Sequence, residues 1–146
     1  MTYYLLLVVH LLCAFVFIGT VFFEVLMLES VRRQVPRDAM ARIERAIGAR
    51  AGAVMPWVLL LLYGAGVGLA WHYRVPLRAP FASAFGLQLL LKLLLAASVL
   101  VHFGVAMWLR RDGRLRGVAS RRLHLSVFAH MLGIVLLAKG MFHLAW

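Results

Sequence analysis

Acidic residues are scarce in this chain. Its 146 residues hold 5 Asp and Glu against 16 Lys and Arg, a net charge of +11, and charged residues of both signs reach only 14%. A single cysteine excludes an internal disulfide framework and a paired-cysteine zinc site. There is no phosphate-binding Walker loop, no dinucleotide fingerprint and no HExxH zinc motif. Low hydrophobicity, which disorder requires, is absent too.

What the chain has is apolar length. It is 64% hydrophobic, where soluble domains hold roughly 45–50%, and the mean hydropathy is +0.92. A sequence pI near 11.5 invites a nucleic-acid reading. The arginines, however, sit beside long apolar runs, which is the pattern of a membrane protein with basic cytoplasmic loops. No nucleic-acid partner is expected; the lipid bilayer is.

A hydrocarbon core of about 30 Å takes about 20 apolar residues as a helix. Four segments meet that length, at about 3–28, 51–73, 82–109 and 123–146. Backbone polar groups in lipid need internal partners, so the segments are helices. The first segment has no Lys or Arg before it, an overlong apolar run and no small-residue cleavage site, so it reads as a span, not a signal peptide. The expectation is one all-α domain, 1–146, of four transmembrane helices in an antiparallel bundle.

Loop charge sets the orientation. Arg32, Arg33, Arg37, Arg42, Arg45 and Arg50 fill the first loop, and Arg110, Arg111, Arg114, Arg116, Arg121 and Arg122 the third. The second loop has only Arg74 and Arg78. Basic loops stay in the cytoplasm, so both termini are expected on the periplasmic face of a bacterial inner membrane. Tyr3, Tyr4, Trp71, Tyr73 and Trp146 would form the outer aromatic belt, and Trp57 and Trp108 the inner one. Within the first loop, Met40, Ile43 and Ile47 recur at helical spacing. That predicts a short amphipathic helix at about 37–49, lying on the anionic inner leaflet or standing as a solvated connector. Gly64 and Gly68 form a GxxxG spacing that permits close helix packing.

Ionisable side chains at membrane depth cost about 2.5–3.5 kcal/mol each on the lenient insertion scale, so their positions are informative. His10, Lys92 and Lys139 come from three helices, each on the order of 10 Å inside the outer boundary. His10 and Cys13 share a helix face. An imidazole with a thiolate suits a soft ion such as Cu(I). Alternatively, His10 is an axial ligand of a b-type haem whose propionates pair with the lysines. Snorkelling lysines with a hydrogen-bonded histidine are the structural alternative. Two nearby lysines repel a simple cation and favour an anionic ligand or a metal inside an anionic macrocycle.

An inner group comprises His102 and His130, at matching depth on consecutive helices, with Glu24 in the same half. Two such histidines can hold a haem iron from opposite faces, or, with Glu24 or a methionine, a copper ion. A hydrogen bond that merely joins the helices is the structural alternative.

These residues carry a resemblance. The first helix reads His10-Leu-Leu-Cys-Ala-Phe-Val-Phe17-Ile-Gly19-Thr20. It resembles the opening helix of the copper resistance protein D (CopD) membrane family, which has His, an aromatic residue (usually Trp) seven residues on, and Gly-Gly. Here Phe17 stands for the Trp and Gly19-Thr20 for Gly-Gly. The third helix, from Gly86 to Lys92 and Leu93, is similar to that family's Gly-x-x-Leu-x-x-Lys-Leu pattern. His10 and Lys92 also match the early His and later Lys of the HemJ-type protoporphyrinogen oxidases. The resemblance implies an inner-membrane protein linked to copper or haem, contributing to copper uptake or tolerance. A b-type haem enzyme acting on a porphyrinogen or quinone is the second reading. A non-catalytic subunit of a membrane complex is the third. At this length a homo-oligomer or a membrane-complex partner is also expected.

Overall fold

The computed structural model describes residues 1–113 and 118–143; the side chains of residues 118 and 119 are left aside. Arg114, Arg116 and Trp146, named above, lie outside the described residues. Every regular element among those described is helical. The order is α1 (Thr2–Phe22), a π-helical stretch (Phe23–Leu28), α2 (Glu29–Arg32), α3 (Arg37–His72), α4 (Arg74–Arg78), a 3-10 turn (Pro80–Ala82), α5 (Ala84–Arg111) and α6 (Val118–His143). Four helical stretches are long and apolar enough to cross a membrane: Thr2–Arg32, Arg37–His72, Ala84–Arg111 and Ser120–His143. Their outer surfaces are apolar too. Phe15 is 77% exposed and Leu136 73%, which suits a hydrocarbon solvent and not water.

The chain divides into two units, 1–69 and 70–146. In the first, Phe17, Val21, Leu28, Met40, Leu59 and Ala65 are buried. Contacts between α1 and α3 run in opposite order along the two helices: Leu6 meets Gly68, and His10 meets Gly66 and Leu62. The close approach uses Gly66 and Gly68. Gly64, the other half of the GxxxG spacing, has nothing within 4 Å of where a Cβ would stand.

The sequence separates an amphipathic helix at 37–49 from the second span, but the structure joins them. α3 is a single helix of 36 residues, about 54 Å long against a hydrocarbon thickness of about 30 Å. No proline stands between residues 37 and 55. Ala46, Ala49, Ala51 and Ala53 favour the helix enough to carry it past Gly48 and Gly52. Pro56 lies inside the helix; lacking an N–H, it leaves the Gly52 carbonyl without its usual donor. The 37–49 stretch is therefore continuous with the span. At its base, Arg32 reaches Glu29 Oε2 at 2.6 Å, and two of its nitrogens meet Glu44 Oε1 at 2.6 and 3.0 Å. The Arg32–Glu44 pair fastens α2 to α3, while Arg32–Glu29 lies within α2; partly exposed, the two contribute about 0.2–1 kcal/mol each.

In the second unit, Ser83 caps α5. Its backbone is extended, and its Oγ accepts the Gly86 N–H at 3.1 Å, a contribution of about 1 kcal/mol. Along α5 and α6 the contacts again run in opposite order. Phe85 meets Phe142 edge-on at 5.8 Å between ring centroids, and Gly133 faces Leu95. A Cβ at Gly133 would stand 3.1 Å from Leu95 Cδ1, so the missing side chain sets how near the two helices come.

Candidate functional site

Four polar side chains meet between α5 and α6: Ser98 and His102 from one helix and Ser126 and His130 from the other. On each helix the serine precedes the histidine by four residues, one turn, so both side chains lie on one face. His102 Nδ1 lies 2.7 Å from the Ser98 carbonyl oxygen, and His130 Nδ1 lies 2.8 Å from the Ser126 carbonyl oxygen. A carbonyl only accepts, so both Nδ1 atoms carry the hydrogen. In the neutral ring that leaves each Nε2 as an acceptor.

Each Nε2 finds its donor on the other helix. Ser98 Oγ donates to His130 Nε2 at 3.0 Å, and Ser126 Oγ donates to His102 Nε2 at 2.9 Å. The result is a crossed ring of four hydrogen bonds, with the imidazole centroids 5.1 Å apart and tilted by 55°. All four residues are half-buried. Neither helix offers Asp, Glu or Cys among its described residues, so the ring contains no acidic group. Such bonds between spanning helices are worth about 0.6 kcal/mol on average.

The tautomer matters chemically. A histidine that binds a metal through Nε2 commonly donates Nδ1–H to a carbonyl or carboxylate, which fixes the ring and raises its basicity. Both imidazoles already have that backing. Their lone pairs are directed at serine hydroxyls, which can rotate away.

The other residues singled out in the sequence are placed as follows. His10, in the first unit, donates from Nδ1 to the Leu62 carbonyl at 3.0 Å. Cys13, one turn on, is a half-buried free thiol. Glu24 is half-buried within the π-helical stretch. Lys92 belongs to the second unit and is half-buried on α5; among the described residues it makes no hydrogen bond or ion pair. Lys139 and His143 are exposed on α6. Among the described residues no three His, Cys, Asp or Glu side chains gather closely enough to hold a metal ion. The histidine pair thus comes together without a third ligand of those types.

Ser98 and Ser126 are the residues that sequence reasoning passed over. A signal was present: Ser-x-x-x-His occurs at Ser98–His102 and Ser126–His130, and again at Ser120–His124, where Ser120 Oγ lies 3.3 Å from His124 Nδ1. Comparisons of the chain with family models, with curated proteins and with solved structures each return no match.

Proposed function

We propose that the protein is a bacterial inner-membrane protein of the CopD type, an antiparallel four-helix bundle with both termini periplasmic. It binds copper or haem b within the bundle and contributes to copper uptake or tolerance. The observation that carries this reading is the His102–His130 pair. Both Nδ1 atoms are tied to main-chain carbonyls of their own helices, and both Nε2 atoms are presented across the helix interface.

Between the two ligands, the pair suits copper better. Two histidines on one haem iron need their nitrogens in line, about 4 Å apart, with the macrocycle between the rings. Centroids 5.1 Å apart and tilted by 55° leave no slot for a macrocycle. Two imidazoles do suit a copper ion. Haem, if bound, belongs with His10; Lys92, in the second unit, is by itself a cation suited to an anionic group such as a propionate.

The test is an optical spectrum and a metal assay on the purified protein. Stoichiometric copper with no Soret band is the expected result. A Soret band with split bands on reduction would favour the haem enzyme acting on a porphyrinogen or quinone. One observation favours a second reading, the non-catalytic subunit: every polar group of the crossed ring is already satisfied, as in a simple interhelical fastening. Absence of both copper and haem from the native protein would select it.

A further inference from the structure

We infer that the crossed serine–histidine ring selects a soft monovalent cation, held by two imidazole nitrogens, and that Ser98 and Ser126 are displaceable placeholders for it. This rests on the copper reading and deepens it by fixing the charge of the ion and the role of the serines.

The first ground is charge. The cost of bringing an ion into a low-dielectric interior grows with the square of its charge. α5 and α6 supply no carboxylate or thiolate among their described residues to offset it. A divalent ion there would keep its full charge, whereas a monovalent ion carries a quarter of that cost. The second ground is ligand number. Zinc sites take three or four protein ligands, and Cu(II) prefers a tetragonal set of N and O donors. Two neutral nitrogens are enough for a d¹⁰ monovalent ion such as Cu(I) or Ag(I).

The third ground is the ease of vacating the lone pairs. To bind, both Nε2 atoms must exchange a serine hydroxyl for the ion. The released hydroxyls need not be stranded, because a hydroxyl within a helix can turn back to the carbonyl four residues earlier. Thr20 does this in the same chain, donating to the Val16 carbonyl at 2.8 Å. For Ser98 and Ser126 the corresponding carbonyls are those of Leu94 and Arg122. No donor is lost when the ion enters, and both Nδ1–H bonds persist.

The experiment is titration of the full-length protein in detergent with Ag(I), which is stable in air, alongside Zn(II) and Cu(II). Expected is one Ag(I) per chain, with much weaker binding of both divalent ions. His102→Ala and His130→Ala should each lower Ag(I) affinity by at least about 100-fold, beyond the 10- to 100-fold usual for outer-shell changes. Ser98→Ala and Ser126→Ala should each raise it about two- to tenfold, because the competing hydrogen bond is gone. A purely structural ring predicts no such gain.

Divalent ions binding as tightly as Ag(I) would overturn the charge argument. Serine variants that weaken binding would overturn the placeholder role. Copper and Ag(I) binding that survives both histidine variants but is lost in His10→Ala or Cys13→Ser would overturn this inference and leave the copper reading standing. Failure of the native chain to bind Ag(I), Cu(I) or Cu(II) would overturn both.

Discussion

The imidazole of His10 rests on Gly66. A Cβ at that position would stand 3.2 Å from its Cε1 and 3.3 Å from its Nδ1. The same Nδ1 donates to the carbonyl of Leu62, one helical turn before Gly66. Gly66→Leu should therefore destabilise the protein by about 1–3 kcal/mol, the usual cost of overpacking. Gly64→Ala meets nothing within 4 Å and should be neutral or stabilising by up to about 1 kcal/mol. Thermal unfolding in detergent compares the two. A larger loss at position 64 would restore the GxxxG pair as the packing motif.

Double-mutant cycles should find the crossed pattern. The pairs Ser98–His130 and Ser126–His102 are expected to couple by about 0.6 kcal/mol each, typical of hydrogen bonds between spanning helices. Ser98 with the exposed His143 serves as the distant control and should show none. Equal coupling in all three pairs would mean that the serines act by general packing.

The four spans were legible because hydropathy and length are additive along a chain. So was the pairing of His102 with His130, since equal depth on consecutive helices brings them to one level. The serines were not legible from depth alone. Which side chain receives Ser98 depends on how α5 and α6 are rotated about their axes, and an all-round apolar surface leaves that rotation unstated. The union of 37–49 with the second span was missed for a different reason. A change from polar to apolar marks a change of solvent, not an end to the helix, and alanines carried α3 through it. Likewise the GxxxG spacing named a plausible packing face but not the glycine that His10 uses.

Topology can be read by thiol labelling. Cysteines introduced at Arg42 or Arg111 should resist an impermeant reagent in intact cells, and one at Arg78 should react. The reverse pattern would invert the orientation drawn from loop charge, and with it the assignment of outer and inner polar layers.

His10 and Lys92 should differ in their effects on bound cofactor if the outer layer is a haem or metal site. His10→Ala is expected to abolish retention, and Lys92→Met to weaken it or alter redox behaviour, as read by metal content and optical spectrum after purification. Full retention in both variants would leave His10 as a hydrogen-bonded packing group and Lys92 as a snorkelling side chain.

The π-helical stretch Phe23–Leu28 makes the first span a two-part screw. Bonds that skip five residues instead of four accommodate one more residue per turn. Were the same residues wound as plain α-helix instead, with none removed, everything from Thr2 to Phe22 would turn by about 100° relative to α2. Arg32 and Glu44 hold α2 against α3, so the base resists counter-rotation and the upper half must take up the turn. His10 would swing away from the Leu62 carbonyl although no residue near it had changed. The heading of that imidazole is set by a residue count kept more than two turns below it.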